Sequence, residues 1–188
     1  MNYRRTSRNV VVAIGLLVSW PFYSANAADN QTPNSEAKKE VPVRIVRETF
    51  TSKTFSPAAA EFLKRPLPAP LVTLNPGGGP QVTIMWFRYE DGALFFTTTT
   101  DRVKFRNQQK DPRAVLTVLE PTNMYKWVIV HGKLSVDNRD PAAFYRSLAE
   151  HYLEGEGLAQ WRKMAVMDKR TVLKLTPTRI RTMGFPKE

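Results

Sequence analysis

The stretch Leu94–Arg113, LFFTTTTDRVKFRNQQKDPR, passes from an apolar run into four consecutive threonines, then an aspartate, then a segment with five cations. Those cations are Arg102, Lys104, Arg106, Lys110 and Arg113. The apolar run reads as a strand, Asp101 as the N-cap of a helix over residues 102–110, and Asp111-Pro112 as the stop. A strand that ends in hydroxyls and enters a helix gathers backbone N–H groups, threonine hydroxyls and the positive helix end in one place. With Arg102 and Lys104 added, that place can hold a phosphate through charge-assisted hydrogen bonds. The competing reading is an ordinary strand followed by a solvated helix face, since threonine favours strands in its own right. Asp101 favours the second reading, because a carboxylate competes with phosphate for the same N–H groups.

Upstream of this stretch, AAAEFLKR from Ala58 fits a short helix stopped by Pro66. Ala69–Leu74 (APLVTL), the turn NPGGGP and Gln81–Phe87 (QVTIMWF) then read as paired strands, with Val82, Ile84 and Trp86 on one face. YEDG at 89–92 is a hairpin turn into ALFFTT. Downstream, residues 114–120 read as a strand of near-continuous apolar character. In the long strand 125–136, Val128, Val130, Leu134 and Val136 form an apolar face, and Tyr125, Trp127, Ile129, His131 and Lys133 a mixed one. Asp140-Pro141 starts a helix through PAAFYRSLAEHYL. A second helix fits Leu158–Met167, and RTVLKLTP with TRIRTMGF closes in one or two strands. Six or seven antiparallel strands with short helices point to a mainly β fold closed as a small barrel, since closure removes exposed edges.

The 188 residues carry 28 Lys and Arg against 17 Asp and Glu, a net charge of +11. MNYRRTSR, the apolar run Val10–Phe22 and Ala25-Asn26-Ala27 together read as a signal peptide over residues 1–27. That apolar run is shorter than the roughly 20 residues that cross a bilayer, and Pro21 interrupts it, so no stable membrane anchor is expected. Arg4-Arg5 leaves Sec and twin-arginine export both open. Cleavage removes three arginines and leaves +8, which favours an anionic partner. Residues 28–57 are polar with scattered prolines and read as a flexible linker, so the folded domain is expected over 58–188. The absence of cysteine excludes disulfides and thiolate metal sites.

The order LVTL, P-Q-V-T-I-M-W-F, Y-E-D-G-A-L-F-F-T-T, R-V-K-F-R-N-x-x-x-D-P-R-A and a long strand ending H-G-K-L resembles the pyridoxamine 5'-phosphate oxidase-like flavin-binding split barrel. It looks most like the branch that uses FMN or the 8-hydroxy-5-deazaflavin coenzyme, and the likeness covers about residues 60–182. The resemblance implies a split-barrel homodimer with a cofactor at the subunit interface. It implies that Thr97, Thr98, Arg102 and Lys104 hold the cofactor phosphate and that Thr83, Met85, Trp86 and Phe87 lie along the ring. Tyr125 and Trp127 are the expected contribution of the second subunit. Thr100-Asp101 departs from the Arg-Gly common in the deazaflavin branch, and NPGGGP from the usual D-G-x-P turn. The implied activity is periplasmic or secreted hydride transfer to or from a small molecule, with the catalytic residues left unassigned.

Three other readings stand beside it. The same barrel serves haem-handling proteins, for which His131 is the candidate ligand, while His151 reads as a surface residue near a helix end. A binding module without turnover would use the same pocket. Cations interleaved with aromatics in FRNQQK and YKW suit single-stranded nucleic acid, which the export signal opposes. No His, Asp or Glu cluster has metal-ligand spacing and no nucleophile elbow is present, so no metal site is expected.

Overall fold

The computed structural model describes residues 49–186. The expected signal peptide and the linker up to residue 48 lie outside the described residues. In chain order the elements are β1 (Thr49–Ser52), α1 (Pro57–Leu63), β2 (Ala69–Leu74), β3 (Pro80–Met85), β4 (Arg88–Glu90) and β5 (Ala93–Thr99). They continue with α2 (Val103–Lys110), β6 (Arg113–Glu120), β7 (Asn123–Asp137), α3 (Pro141–Tyr152), α4 (Gly155–Met164) and β8 (Arg170–Met183).

The sheet is antiparallel throughout and runs β3-β2-β6-β7-β8-β5-β4, with β1 beside β8. This is the expected mainly β split barrel, with β1 added to its seven-strand path. β8 carries most of the closure. One edge pairs with β7 along its length, while the other takes β5 over Arg170–Leu175 and β1 over Ile180–Met183. The pairing of β1 corrects the linker boundary: the folded chain includes Thr49–Ser52, and Ser56 accepts the Ala59 N–H to cap α1. Four residues of mixed polarity carry too weak an alternation to be read as a strand; their partner on β8 supplies the order.

Local chemistry explains the turns. Asp91 and Gly92 adopt φ of 48° and 74°, the left-handed pair that a two-residue hairpin needs to match strand twist. Asp140 accepts from the N–H groups of Ala142 and Ala143 at 2.9 and 3.3 Å, with Pro141 in the first helical turn of α3. At Gly132 the register of β7 on β8 shifts beside Pro177. A Cβ at Gly132 would lie 2.4 Å from the Thr176 carbonyl oxygen, so only glycine fits this approach.

Inside the curl, Leu71, Leu94, Phe96, Leu116, Val118, Val128, Val130, Leu173, Leu175 and Ile180 are at most 1% exposed and form one core. Ala93, Phe95 and Val172 face the other side of β5 and β8, where Phe144 and Leu148 of α3 cover them. Both faces of β5 are therefore buried, which is why its sequence reads as continuous rather than alternating.

The structure fixes which way the apolar face of β3 points and corrects one member of the apolar face of β7. Val82 and Ile84 are 56% and 62% exposed, whereas Met85 packs against the core. β3 is an edge strand, so its apolar residues do not identify the inner face. Val136 is 50% exposed because it lies where β7 leaves the core. The register aligns Ile84 with Pro70, Val82 with Val72, Val72 with Val115 and Thr117 with Ile129. One outward face of β3, β2, β6 and β7 is thus largely apolar.

Candidate cofactor site

A cleft of about 220 Å3 opens where β3 ends. Ile84, Met85 and Trp86 form one side, Tyr145 and Leu148 of α3 another, and Thr97 and Arg170 the polar end. Antiparallel pairing brings the last two together, because Thr99 lies opposite Arg170 and Thr97 opposite Val172. The Arg170 guanidinium lies 3.3 Å from the centroid of Tyr145. Its Nε donates to the Val166 carbonyl and its Nη1 to Thr97 Oγ1 at 3.4 Å. Tyr145 is fixed in turn by Trp161 of α4, whose Nε1 donates to the phenol oxygen at 3.1 Å.

Trp86 sits in the short break between β3 and β4 and is held by Tyr152. The rings stack with centroids 5.0 Å apart and planes 13° from parallel. The Tyr152 hydroxyl accepts the Phe87 N–H at 3.1 Å and lies 3.0 Å from the Leu67 carbonyl, to which it donates. Burial pushes the Tyr152 pKa up to about 12. A neutral phenol therefore anchors the backbone that presents the indole to the cleft.

The four expected phosphate ligands divide between two sides of β5. Successive strand residues face opposite ways: Thr97 turns toward Arg170, and Thr98 turns inward opposite Thr171. Both threonines are buried, at 7% and 4% exposure. Arg102 is exposed at the N-cap position of α2 and supplies no side-chain cap bond. Asp101 does not cap the helix as expected; it accepts from Thr99 instead, which holds its carboxyl below the usual range. The first N–H groups of α2 are consequently left without a side-chain acceptor.

Lys104 is 8% exposed. Burial lowers its pKa, Arg102 lowers it further, and no carboxylate among the described residues opposes them. It shares a helix face with Asn107, whose amide donates to Thr73 Oγ1 and Asn75 Oδ1, both at 3.1 Å. A largely buried lysine with no counter-ion therefore stands beside an uncapped helix start, where backbone N–H groups and positive charge favour an anion.

Other expected residues are placed differently. Phe87 is 1% exposed within the barrel core and does not line the cleft. Thr83 accepts from Gln81 at 2.6 Å, while Gln81 accepts from Thr73; these side chains form part of a rim network. Met85 and Trp86 do reach the cleft. Tyr125 and Trp127 lie at the far end of β7 and do not line it; Trp127 carries Arg181 6.0 Å above its ring. Both ring nitrogens of His131 lie within 3.4 Å of Arg179 Nη2, and burial, Arg179 and Arg181 together lower its pKa.

Sequence reasoning missed Arg170 and Tyr145. Their signal was the cation opening the strand RTVLKL, which antiparallel pairing with β5 would have set beside the threonines.

The family model described as pyridoxamine 5'-phosphate oxidase matches residues 55–184. The chain belongs to this family. Its structural neighbours include an F420 reductase, 32% identical with a TM-score of 0.55, over 64% of this chain and 93% of that one. A conserved hypothetical protein from Mycobacterium tuberculosis is 25% identical with a TM-score of 0.55, covering 71% and 91%. A haem storage protein from Vibrio cholerae shares the fold at 18% identity and a TM-score of 0.53, covering 70% and 96%. No curated protein sequence matches the chain. Proteins of this fold thus include an F420 reductase and a haem storage protein, so the fold alone does not fix the ligand.

Proposed function

We propose that this family member is an exported homodimeric oxidoreductase that carries FMN or a related deazaflavin coenzyme. The observation that carries the reading is Lys104, a buried cation without a counter-ion at the uncapped start of α2. A phosphate there would accept from the free N–H groups and from the ammonium, with Arg102 closing the outer side. Met85 and Trp86 offer the apolar wall against which a flat ring rests, and Tyr152 keeps the indole in place. The bound coenzyme supplies hydride transfer; the chain binds, orients and shields it.

One subunit is too small for the task. Its cleft of about 220 Å3 falls below the roughly 300–1,000 Å3 typical of ligand pockets. The outward apolar face around Val72, Val82 and Ile84 is suited to a second copy of the chain, which would complete the cleft with Tyr125 and Trp127. Light scattering should return a dimer mass, and Ile84→Lys should reduce it to the monomer.

Titration of the purified protein with FMN and with deazaflavin tests the cofactor. Tight binding of one of them is expected, weakened at least tenfold in Lys104→Ala, and unchanged binding in that variant would remove the phosphate assignment. Reduction of the bound coenzyme by added donors then separates an enzyme from a carrier that only holds it.

A further inference from the structure

Arg170 is more than a wall of the cleft. Three contacts fix its guanidinium: the face of Tyr145, the Val166 carbonyl and Thr97 Oγ1. None is an anion, and among the described residues no carboxylate pairs with it. Burial lowers its pKa, Tyr145 opposes that shift in part, and Arg102 adds to the lowering. Arginine is suited to this place because its planar fork can stack on a ring and still direct N–H groups at two oxygens of one anion. Beyond the guanidinium the cleft turns apolar at Met85, Trp86 and Leu148.

We propose that Arg170, stacked on Tyr145 and bonded to Thr97, is a second anion-binding site that recognises a carboxylate or phosphate on a small ligand with an apolar or aromatic body. The site lies on the Thr97 side of β5, whereas Thr98 faces the interior. Arg102, whose charge lowers the pKa of both Lys104 and Arg170, neighbours this site as well as the seat assigned to the cofactor phosphate. That this ligand is the substrate rests on the cofactor reading; the anion site does not. An oxyanion at Arg170 would place the attached apolar group against Trp86, the wall assigned to the cofactor ring. The substrate class is then an amphipathic anion, held by its charged end and presented to the coenzyme by its apolar one.

The probes are benzoate, phenyl phosphate and the neutral benzamide, titrated calorimetrically into the purified protein in a buffer free of phosphate and carboxylates. At least one anion is expected to bind at least tenfold more tightly than benzamide. In Lys104→Met, which removes the other phosphate seat, the preference is expected to survive; adding Arg170→Met to that variant should abolish it, and adding Tyr145→Leu should weaken it. Whichever anion binds more tightly to Lys104→Met identifies the headgroup. Equal binding of benzamide and both anions to Lys104→Met would overturn the proposal, as would an undiminished preference when Arg170→Met is added. Thermal melts verify folding, and Arg170→Lys supplies a variant that keeps the charge but loses the planar fork; it should retain only part of the preference. If neither FMN nor deazaflavin binds while Arg170 still selects anions, the cofactor reading fails and the anion site stands.

Discussion

Arg139 and Arg170 both lay a guanidinium against an aromatic ring of α3, and only one of them meets a carboxylate. Arg139 lies 3.8 Å from the centroid of Phe95 and 5.1 Å from that of Phe144, and bonds to Glu90 at 2.8 Å and Asp137 at 2.7 Å. Burial works against its charge, but the two hydrogen-bonded carboxylates outweigh that and raise its pKa. Arg170 rests on Tyr145 beside Phe144 and receives no such compensation, so its pKa falls. The first arrangement fastens β4, β7 and α3 together. The second leaves binding capacity unused, which a fold gains nothing from keeping and a ligand site needs.

The contrast can be tested by removing one group at a time. The largest effect is expected from Arg139→Met, which leaves Asp137 without its partner and Glu90 with only Arg88 at 3.9 Å, and should cost about 2.5 kcal/mol in urea unfolding. A loss below about 0.5 kcal/mol, the scale of an ordinary surface change, would mean that the staple carries no weight. Next comes Tyr152→Phe, which leaves the Phe87 N–H and the Leu67 carbonyl without their partner and should cost about 2 kcal/mol near neutral pH. Its pH dependence has a definite sign. The folded pKa of about 12 exceeds the ordinary 10.0, so the contribution is complete below pH 10 and is lost as pH climbs toward 12. The phenylalanine variant should lack that part of the alkaline decline in stability.

Lys104→Met should move the other way. Removing an uncompensated buried charge is expected to raise folding stability by about 1 kcal/mol while weakening coenzyme binding. A loss of stability would show that Lys104 has a structural partner in solution. Arg170→Met is the smallest change, within about 0.5 kcal/mol of the wild-type protein in the same unfolding measurement. A cost as large as that of Arg139→Met would abolish the distinction between them.

The fold was legible wherever local chemistry dictates conformation. The YEDG turn, the Asp140-Pro141 helix start and the buried alternation of Val128, Val130 and Leu134 could be read directly from residue types. Faces were harder on β3, because an edge strand can bear apolar residues on its outward side. Asp101 misled for a local reason: the neighbouring Thr99 hydroxyl competed for the carboxylate and won. The cleft was half legible. Met85, Trp86 and Thr97 belong to the motif region, but Tyr145 and Arg170 enter only through the pairing of β5 with β8 and the docking of α3. The splitting of Thr97 from Thr98 follows from strand geometry and was available from the sequence once Leu94–Thr99 was read as a strand.

The place of β8 in the sheet has a consequence for how the molecule is made. It follows every other described element in the chain, yet β1, β5 and β7 all find hydrogen-bond partners along it. While Arg170–Met183 remains inside the ribosome, those three strands have open edges and the emerging polypeptide has no route to its final form. Such a delay makes a stop codon shortly before residue 170 far more damaging than its position near the end suggests.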